Sequence, residues 1–218
     1  MNQAMSSTER RYLDQFPDVD QDLVGPKLGL GAQHVVRSFD YDRVIKYPRM
    51  NVRSDVMSLI ISRILTPSAD KLKNDLDTSR EYFGDEAVLP TDILTDIKGR
   101  VYCMLQPKMT EFESLTPDII DADADVAEEL AVLVEAGNKL FSDKGKFLDM
   151  MGWNLPKIMR GDAYLDNVVK VPAGKKKLRL PDITLFPKPD YSILGAYFQR
   201  VLEFQRSNMR KFKMKFAE

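Results

Sequence analysis

The feature that most constrains this chain is a change of hydrophobic period near Gln106-Pro107. Before it, apolar residues fall largely in short β-prone runs. Leu28 to Phe39 and Arg43 to Tyr47 are joined by Asp-Tyr-Asp, and Ile93 to Thr95 and Val101 to Leu105 flank Asp-Ile-Lys-Gly-Arg; each arrangement predicts a pair of strands. Two helical stretches are interleaved with them. Val52, Val56, Leu59, Ile60 and Ile64 recur at helical spacing, and after Pro67 so do Leu72, Leu76 and Phe83, up to a stop at Gly84. Beyond Gln106-Pro107 the helical period dominates. Val126, Leu130, Leu133, Val134, Leu140 and Phe141 form one apolar face, with Asp125 and Glu128 spaced to cap its start. Val168 to Val171 and Leu178 to Leu180 flank Pro-Ala-Gly-Lys-Lys-Lys as one small hairpin, and Ile193, Leu194, Tyr197, Phe198, Val201 and Leu202 predict a closing helix. Strands first and helices later is the outline of an α+β fold in two parts. The expected division is a polar lead-in over 1–20, a sheet-bearing part over 21–105 and a mainly helical part over 106–218.

Composition removes several function classes. A chain of 218 residues can bury roughly 70% of its unfolded surface, so it needs no disulfide or metal staple. One cysteine, Cys103, and one histidine, His34, are too few for a zinc site, and a lone thiol fits a reducing compartment, so a cytoplasmic location is expected. No stretch approaches the ~20 apolar residues of a membrane helix, and the start lacks the apolar run of a signal peptide.

The net charge of −1 conceals an uneven distribution. Eight acids and no base lie between Glu111 and Glu129, whereas from Tyr197 onward six bases face only Glu203 and Glu218. Solvated faces, or an attraction between the two segments, are the plain reading; a basic C-terminal helix that docks on an acidic partner is the other. The bases also interleave with Phe204, Phe212 and Phe216, as in a nucleic-acid contact. That partner is disfavoured, because a terminal helix packed on the acidic segment explains the same letters.

Some residues carry chemistry. Gly29-Leu30-Gly31 lies in the first hairpin, where two glycines let backbone N–H groups approach a phosphate or simply make a turn. Val44-Ile45-Lys46 places a lysine in an apolar run, where its ammonium seeks an anion; Glu81 is the candidate carboxylate to hold it, with Asp77 as rival. Asn167 opens the strand at 168–171 and Asp182 follows the returning strand, so the hairpin draws both toward one end. Two hard oxygen donors there suit Mg²⁺, which takes few protein ligands and shares phosphate oxygens. Asp162, five places before Asn167, can orient or deprotonate a hydroxyl. Asp149 has the same spacing to Asn154 and follows the apolar Phe147-Leu148, so it is a rival for that role.

Gly-x-Gly in a hairpin, Val-Ile-Lys on the next strand, Asp-x-x-x-x-Asn before a later hairpin and Asp after it resemble the protein-kinase-like superfamily, in that family's order. Arg160-Gly161-Asp162 with Asn167 looks most like the catalytic loop of aminoglycoside and choline-type phosphotransferases. The resemblance implies a two-lobed kinase-like fold with a small antiparallel-sheet N-lobe and a reduced, mainly helical C-lobe. It implies an ATP–Mg²⁺ phosphotransferase acting on a hydroxyl of a small molecule or protein. Gly29 and Gly31 would cover the phosphates of ATP, Lys46 would bind them, and Gln106 to Met109 would be the hinge beside adenine. Asn167 and Asp182 would hold Mg²⁺, and Asp162 or Asp149 would be the catalytic aspartate. His34 replaces the third loop glycine and Arg160 the catalytic-loop histidine, and Asp182 is followed by Ile-Thr. These departures motivate the alternative of a pseudokinase, a nucleotide- or partner-binding module without turnover.

Overall fold

The structure, a computed structural model, describes residues 4–30, 34–48, 67–152, 157, 160–172 and 176–217. The helix expected over Val52 to Ile64 and the loop glycine Gly31 lie outside them. The chain divides into two compact units: Met1–Asn74 with Pro90–Met109, and Asp75–Leu89 with Thr110–Glu218. The second boundary falls just after Gln106-Pro107, where the hydrophobic period changes.

The first unit is a five-stranded antiparallel sheet in the order β1-β2-β3-β5-β4, made of β1 (Val24–Leu30), β2 (His34–Phe39), β3 (Arg43–Pro48), β4 (Asp92–Thr95) and β5 (Tyr102–Pro107). The β2–β3 turn is set by Asp40, whose φ of 47° is the left-handed conformation a short polar side chain tolerates; its carboxylate accepts from the N–H groups of Asp42 and Arg43. Val35, Phe39, Ile45, Tyr47, Cys103 and Leu105 form the core of one face.

That core is closed by the segment expected to be a polar lead-in. Residues Ser7–Leu13 form helix α1, and Tyr12, Leu13, Phe16 and Val19 are buried against the sheet. Ser6 and Glu9 make a reciprocal capping box. Glu9 then reaches past the helix: it accepts from Tyr47 Oη at 2.7 Å and pairs with Arg37 at 3.2 Å. Arg37 is only 2% exposed and also donates to the Gly25 carbonyl and to Tyr47 Oη. A guanidinium at a core position requires such a carboxylate, so lead-in and sheet form one body.

Helix α2 (Ala69–Phe83) begins in the first unit and ends in the second. The second unit adds α3 (Pro117–Ala122), α4 (Ala124–Lys144) and α5 (Ile193–Lys211). It also holds a three-stranded sheet in the order β6-β8-β9, made of Glu113–Leu115, Leu165–Lys170 and Leu178–Arg179, and a ribbon of β7 (Lys146–Leu148) with β10 (Leu185–Pro187). α4 buries Val126, Leu130, Leu133, Val134 and Leu140, the expected face. Its N-cap, however, is Asp123, not Asp125: the Asp123 side chain accepts from Val126 N–H. Gly145, at φ 59°, ends the helix and turns the chain directly into β7.

The acidic segment is met chiefly by the small hairpin. Asp123 binds Lys170 and Lys177, both at 3.0 Å, and Glu129 accepts from the N–H groups of Lys177 and Leu178. The basic end contributes Lys213 to Asp121 at 3.1 Å, an exposed pair. Phe212 and Phe216, two of the three aromatic rings among those bases, are buried. Among the described residues no helix is long and apolar enough to cross a membrane.

Candidate functional site

Three of the residues singled out in the sequence, Asp149, Asn167 and Asp182, lie in the second unit toward one end of the β7–β10 ribbon. Leu148 pairs with Leu185, so Asp149, the residue after β7, and Asp182, three residues before β10, leave the ribbon at the same end. The ribbon is anchored by Asp75 of α2, a fully buried carboxylate. Asp75 binds Lys146 Nζ at 3.3 Å and accepts from Leu185 N–H at 3.2 Å, one contact to each strand.

The chain after β7 makes a tight turn. Asp149 Oδ1 accepts from Met151 N–H at 3.1 Å and Gly152 N–H at 2.9 Å, and Gly152 takes φ 72°. This turn is laced to the start of β8. Asp166 N–H donates to the Met151 carbonyl at 3.0 Å, Asn167 N–H to the Met150 carbonyl at 3.2 Å, and Asn167 Nδ2 to the Asp149 carbonyl at 2.8 Å. With Nδ2 fixed in this way, Oδ1 is the remaining polar atom of the amide. It faces Gly152, where a side-chain Cβ would lie 3.3 Å away. A side chain at Gly152 would therefore crowd that oxygen.

The β8–β9 register, Val169 with Arg179 and Lys170 with Leu178, draws Asn167 and Asp182 toward one end of the hairpin. Asp182 Oδ1 accepts from Thr184 N–H at 3.0 Å. Burial pushes the Asp149 carboxyl up to about 6, and the negative charge of Asp182 pushes it the same way; the two backbone donors only partly offset them. Tyr197 of α5 shares this environment. Burial raises its hydroxyl to about 12, and the charge of Asp149 adds to that rise.

The remaining sequence candidates lie elsewhere. Asp162, also five places before an asparagine, is held by Arg160 at 2.8 Å in an exposed ion pair. Of the two rival aspartates, Asp149 is the one hydrogen-bonded to Asn167. Asn154, the amide in the Asp149 spacing, lies outside the described residues. Glu81 and Asp77 are exposed on the second-unit part of α2, and Glu81 faces Lys144 at 4.0 Å; the acid that this helix buries is Asp75. In the first unit, Gly29 sits on β1 opposite Val36, and Lys46 sits half-buried on β3 between Val36 and Met104. Gln106 is buried, its Nε2 donating to Thr91 Oγ1 at 2.7 Å.

Sequence reasoning missed the polar residues that support the turn from behind. Gln205 of α5 is fully buried and hydrogen-bonds to the backbone on both sides of Asp149. Asn208, one turn on, bonds to both backbone groups of Tyr164, whose hydroxyl donates to the Gly152 carbonyl at 3.2 Å. Lys157 binds Asp166 at 2.7 Å and lies over the Tyr164 ring. The available signal was the presence of two amides, Gln205 and Asn208, three apart on the apolar face of a closing helix.

No protein-family model matches the chain, and no curated protein does. Among solved structures it is similar to the bifunctional kinase-methyltransferase WbdD, at 14% sequence identity and a TM-score of 0.33, over 81% of this chain and 36% of that one.

Proposed function

We propose that the chain is a kinase-type phosphotransferase that moves the γ-phosphoryl group of ATP to a hydroxyl, with Asp149 as the catalytic aspartate. The observation that carries this reading is the hydrogen bond from Asn167 Nδ2 to the Asp149 carbonyl. It ties a base candidate to a metal-ligand candidate at the ribbon end where Asp182 also emerges. Asp149 is favoured over Asp162 because its carboxyl is half-buried and raised to about 6, while Asp162 is paired with Arg160 at the surface.

The donor set fits Mg²⁺. Asn167 Oδ1 and the Asp182 carboxylate would be hard oxygen ligands, and the absence of a side chain at Gly152 avoids crowding the first. Among the described residues no three or more His, Cys, Asp or Glu side chains gather into a metal-binding group. A site made of one amide and one carboxylate suits an ion that draws its other ligands from phosphate and water. When bound, Mg²⁺ supplies charge neutralisation at the phosphate oxygens.

The residues of the chain do the rest. Asp149, ionised above its raised pKa, accepts the proton of the acceptor hydroxyl. The freed oxygen forms a bond to the γ-phosphorus, the bond to the β-phosphate oxygen breaks, and ADP leaves with those electrons. Burial raises the Asp149 pKa to about 6 and so makes the ionised carboxylate a stronger base. For Gly29, Gly31, Lys46 and Gln106 we take over the nucleotide-binding roles that the kinase resemblance implies.

The test is thermal denaturation of the full chain with ATP and Mg²⁺, together with transfer of labelled γ-phosphate to a panel of hydroxyl compounds and to the protein itself. Nucleotide at a hundredfold over its dissociation constant stabilises by about 2.7 kcal/mol, a readable shift. Stabilisation with transfer that disappears in Asp149→Asn supports the proposal. Stabilisation without transfer points to the binding-module alternative, and neither effect removes both readings.

A further inference from the structure

We infer that Gln205 is a positioning residue for Asp149, acting through the two peptide groups that flank it; this rests on the phosphotransferase reading of Asp149. Gln205 Oε1 accepts from Met150 N–H at 2.9 Å, and its Nε2 donates to the Leu148 carbonyl at 3.0 Å. One primary amide thus satisfies a donor and an acceptor on either side of the same residue. The pairing resembles a rung of a β-ladder at the point where β7 has ended and β10 supplies no further partner. A backbone that leaves a strand and turns within the interior must find such partners, because an unpaired buried peptide group is costly.

The position is rigid from behind as well. Gln205 is 0% exposed, and so is Met150. The Met150 side chain and the Phe216 ring both lie over Gly137 of α4, where a Cβ would come within 3.2 Å of Met150 Cε and 2.8 Å of Phe216 Cε2. Asp149 therefore sits on a peptide pair held by α5, with the next side chain wedged between α4 and the C-terminal segment. Its own carboxylate accepts from the Met151 and Gly152 N–H groups. Catalytic groups must hold their geometry to a fraction of an ångström, and an amide that bonds on both sides of one residue supplies that without touching substrate.

Gln205→Leu keeps much of the volume and removes both hydrogen bonds. Gln205→Asn keeps the amide but shortens its reach, and Gln205→Glu keeps an acceptor for Met150 N–H at the same reach. Amide hydrogen exchange of the full chain, followed residue by residue, gives the readout that needs no substrate. The Met150 amide should exchange at least a hundredfold faster in the Leu and Asn variants, stay protected in the Glu variant, and leave the β7–β10 ladder unchanged. Phosphoryl transfer gives the second readout: kcat falls at least tenfold in the Leu and Asn variants, with KM for ATP within twofold of wild type.

Unchanged Met150 exchange in a folded Leu or Asn variant overturns the inference, and so does loss of protection with kcat intact. Where the Leu variant fails to fold, the Asn and Glu variants carry the same comparison. If the wild-type chain transfers no phosphoryl group, the reading of Asp149 as a catalytic aspartate fails by itself, while Met150 exchange still decides whether Gln205 holds the turn.

Discussion

Two carboxylates away from open water, one in each unit, are treated in opposite ways. Glu9 sits among donors: Arg37, Tyr47 and the Ser6 backbone all face it. Burial alone would raise its pKa, but hydrogen bonds from Ser6, Tyr47 and Arg37 outweigh it and hold the carboxyl down at about 2. Among the described residues Asp149 receives the two N–H groups of its own turn; burial, with the field of another acid, Asp182, pushes it up to about 6. The first arrangement is what a carboxylate needs to stabilise a fold. The second works against the ionised group and leaves it a stronger base, as functional positions do. The difference separates a carboxylate that fastens α1 to its sheet from one suited to take a proton.

The largest expected effects exchange the roles of these two residues. Arg37→Met takes from Glu9 its cation and from the Gly25 carbonyl its donor, and should lower stability by about 1–3 kcal/mol, because the guanidinium removed is the buried member of the network. In thermal melts this reads as a large fall, centred on the first unit. Asp149→Asn should do the reverse: melting temperature unchanged or raised, and phosphoryl transfer reduced on the order of 10³-fold. A stable Arg37→Met, or an Asp149→Asn that melts early and still transfers, would erase the distinction.

The pH dependence sharpens it. The Asp149 pKa is raised in the folded state, so the native chain binds more protons than the unfolded chain between about 3.8 and about 6. Stability should therefore decline as pH rises through that window, on the order of 2 kcal/mol in all, while transfer rises over the same range as the base ionises. The Glu9 pKa is lowered from 4.5 to about 2, so its contribution is complete above pH 4.5 and disappears as pH falls toward 2. Partial exposure screens that contribution to about 1 kcal/mol. Urea unfolding from pH 2 to 8 should show the upper slope vanish in Asp149→Asn and the lower one flatten in Glu9→Gln.

What could be read from the sequence follows the range of each interaction. The β2–β3 hairpin, α4 and the closing helix α5 were legible because their periodicity and turn residues are local. Helix α1 was not, because Tyr12, Leu13, Phe16 and Val19 are scattered among charges, and the reason for Glu9 lies in Arg37, 28 positions away. The N-cap of α4 was misplaced by two residues because the segment offers acids at 121, 123 and 125, and only Asp123 meets Val126 N–H. At the candidate site, Asn167 and Asp182 could be drawn together by hairpin geometry. Asp149 and Asp162 could not be separated, since each has an asparagine five places on. The separating features are the pairing of β7 with β10 and the contact of Asn167 with Asp149, 18 positions apart.

Glycines give intermediate effects. Gly137→Ala forces a methyl into Phe216 and Met150 and should lower stability by about 1–3 kcal/mol, with transfer falling because Met150 adjoins Asp149. Gly152→Ala must hold φ 72° and crowd Asn167 Oδ1, so it should lose about 1 kcal/mol and weaken Mg²⁺-dependent nucleotide binding more than stability. Equal losses in both measurements would deny Asn167 Oδ1 a ligand role.

The smallest effect sets the zero of the comparison. Lys213 and Asp121 meet at 3.1 Å, closer than Lys146 and Asp75 at 3.3 Å, yet their side chains are 80% and 64% exposed whereas Asp75 is 0% exposed. Distance alone would rank the surface pair higher. Water and salt screen it, and ordering two mobile side chains offsets the attraction, so pairs of this kind contribute little. Lys213→Ala should shift the melting temperature by no more than about 1 °C, and less at high salt, while Lys146→Met should destabilise clearly by taking the Lys146 cation from the buried Asp75 carboxylate at the root of the β7–β10 ribbon. A large loss in Lys213→Ala would mean that the basic end holds the acidic segment in place, and that exposure is the wrong measure by which to separate the carboxylates of this chain.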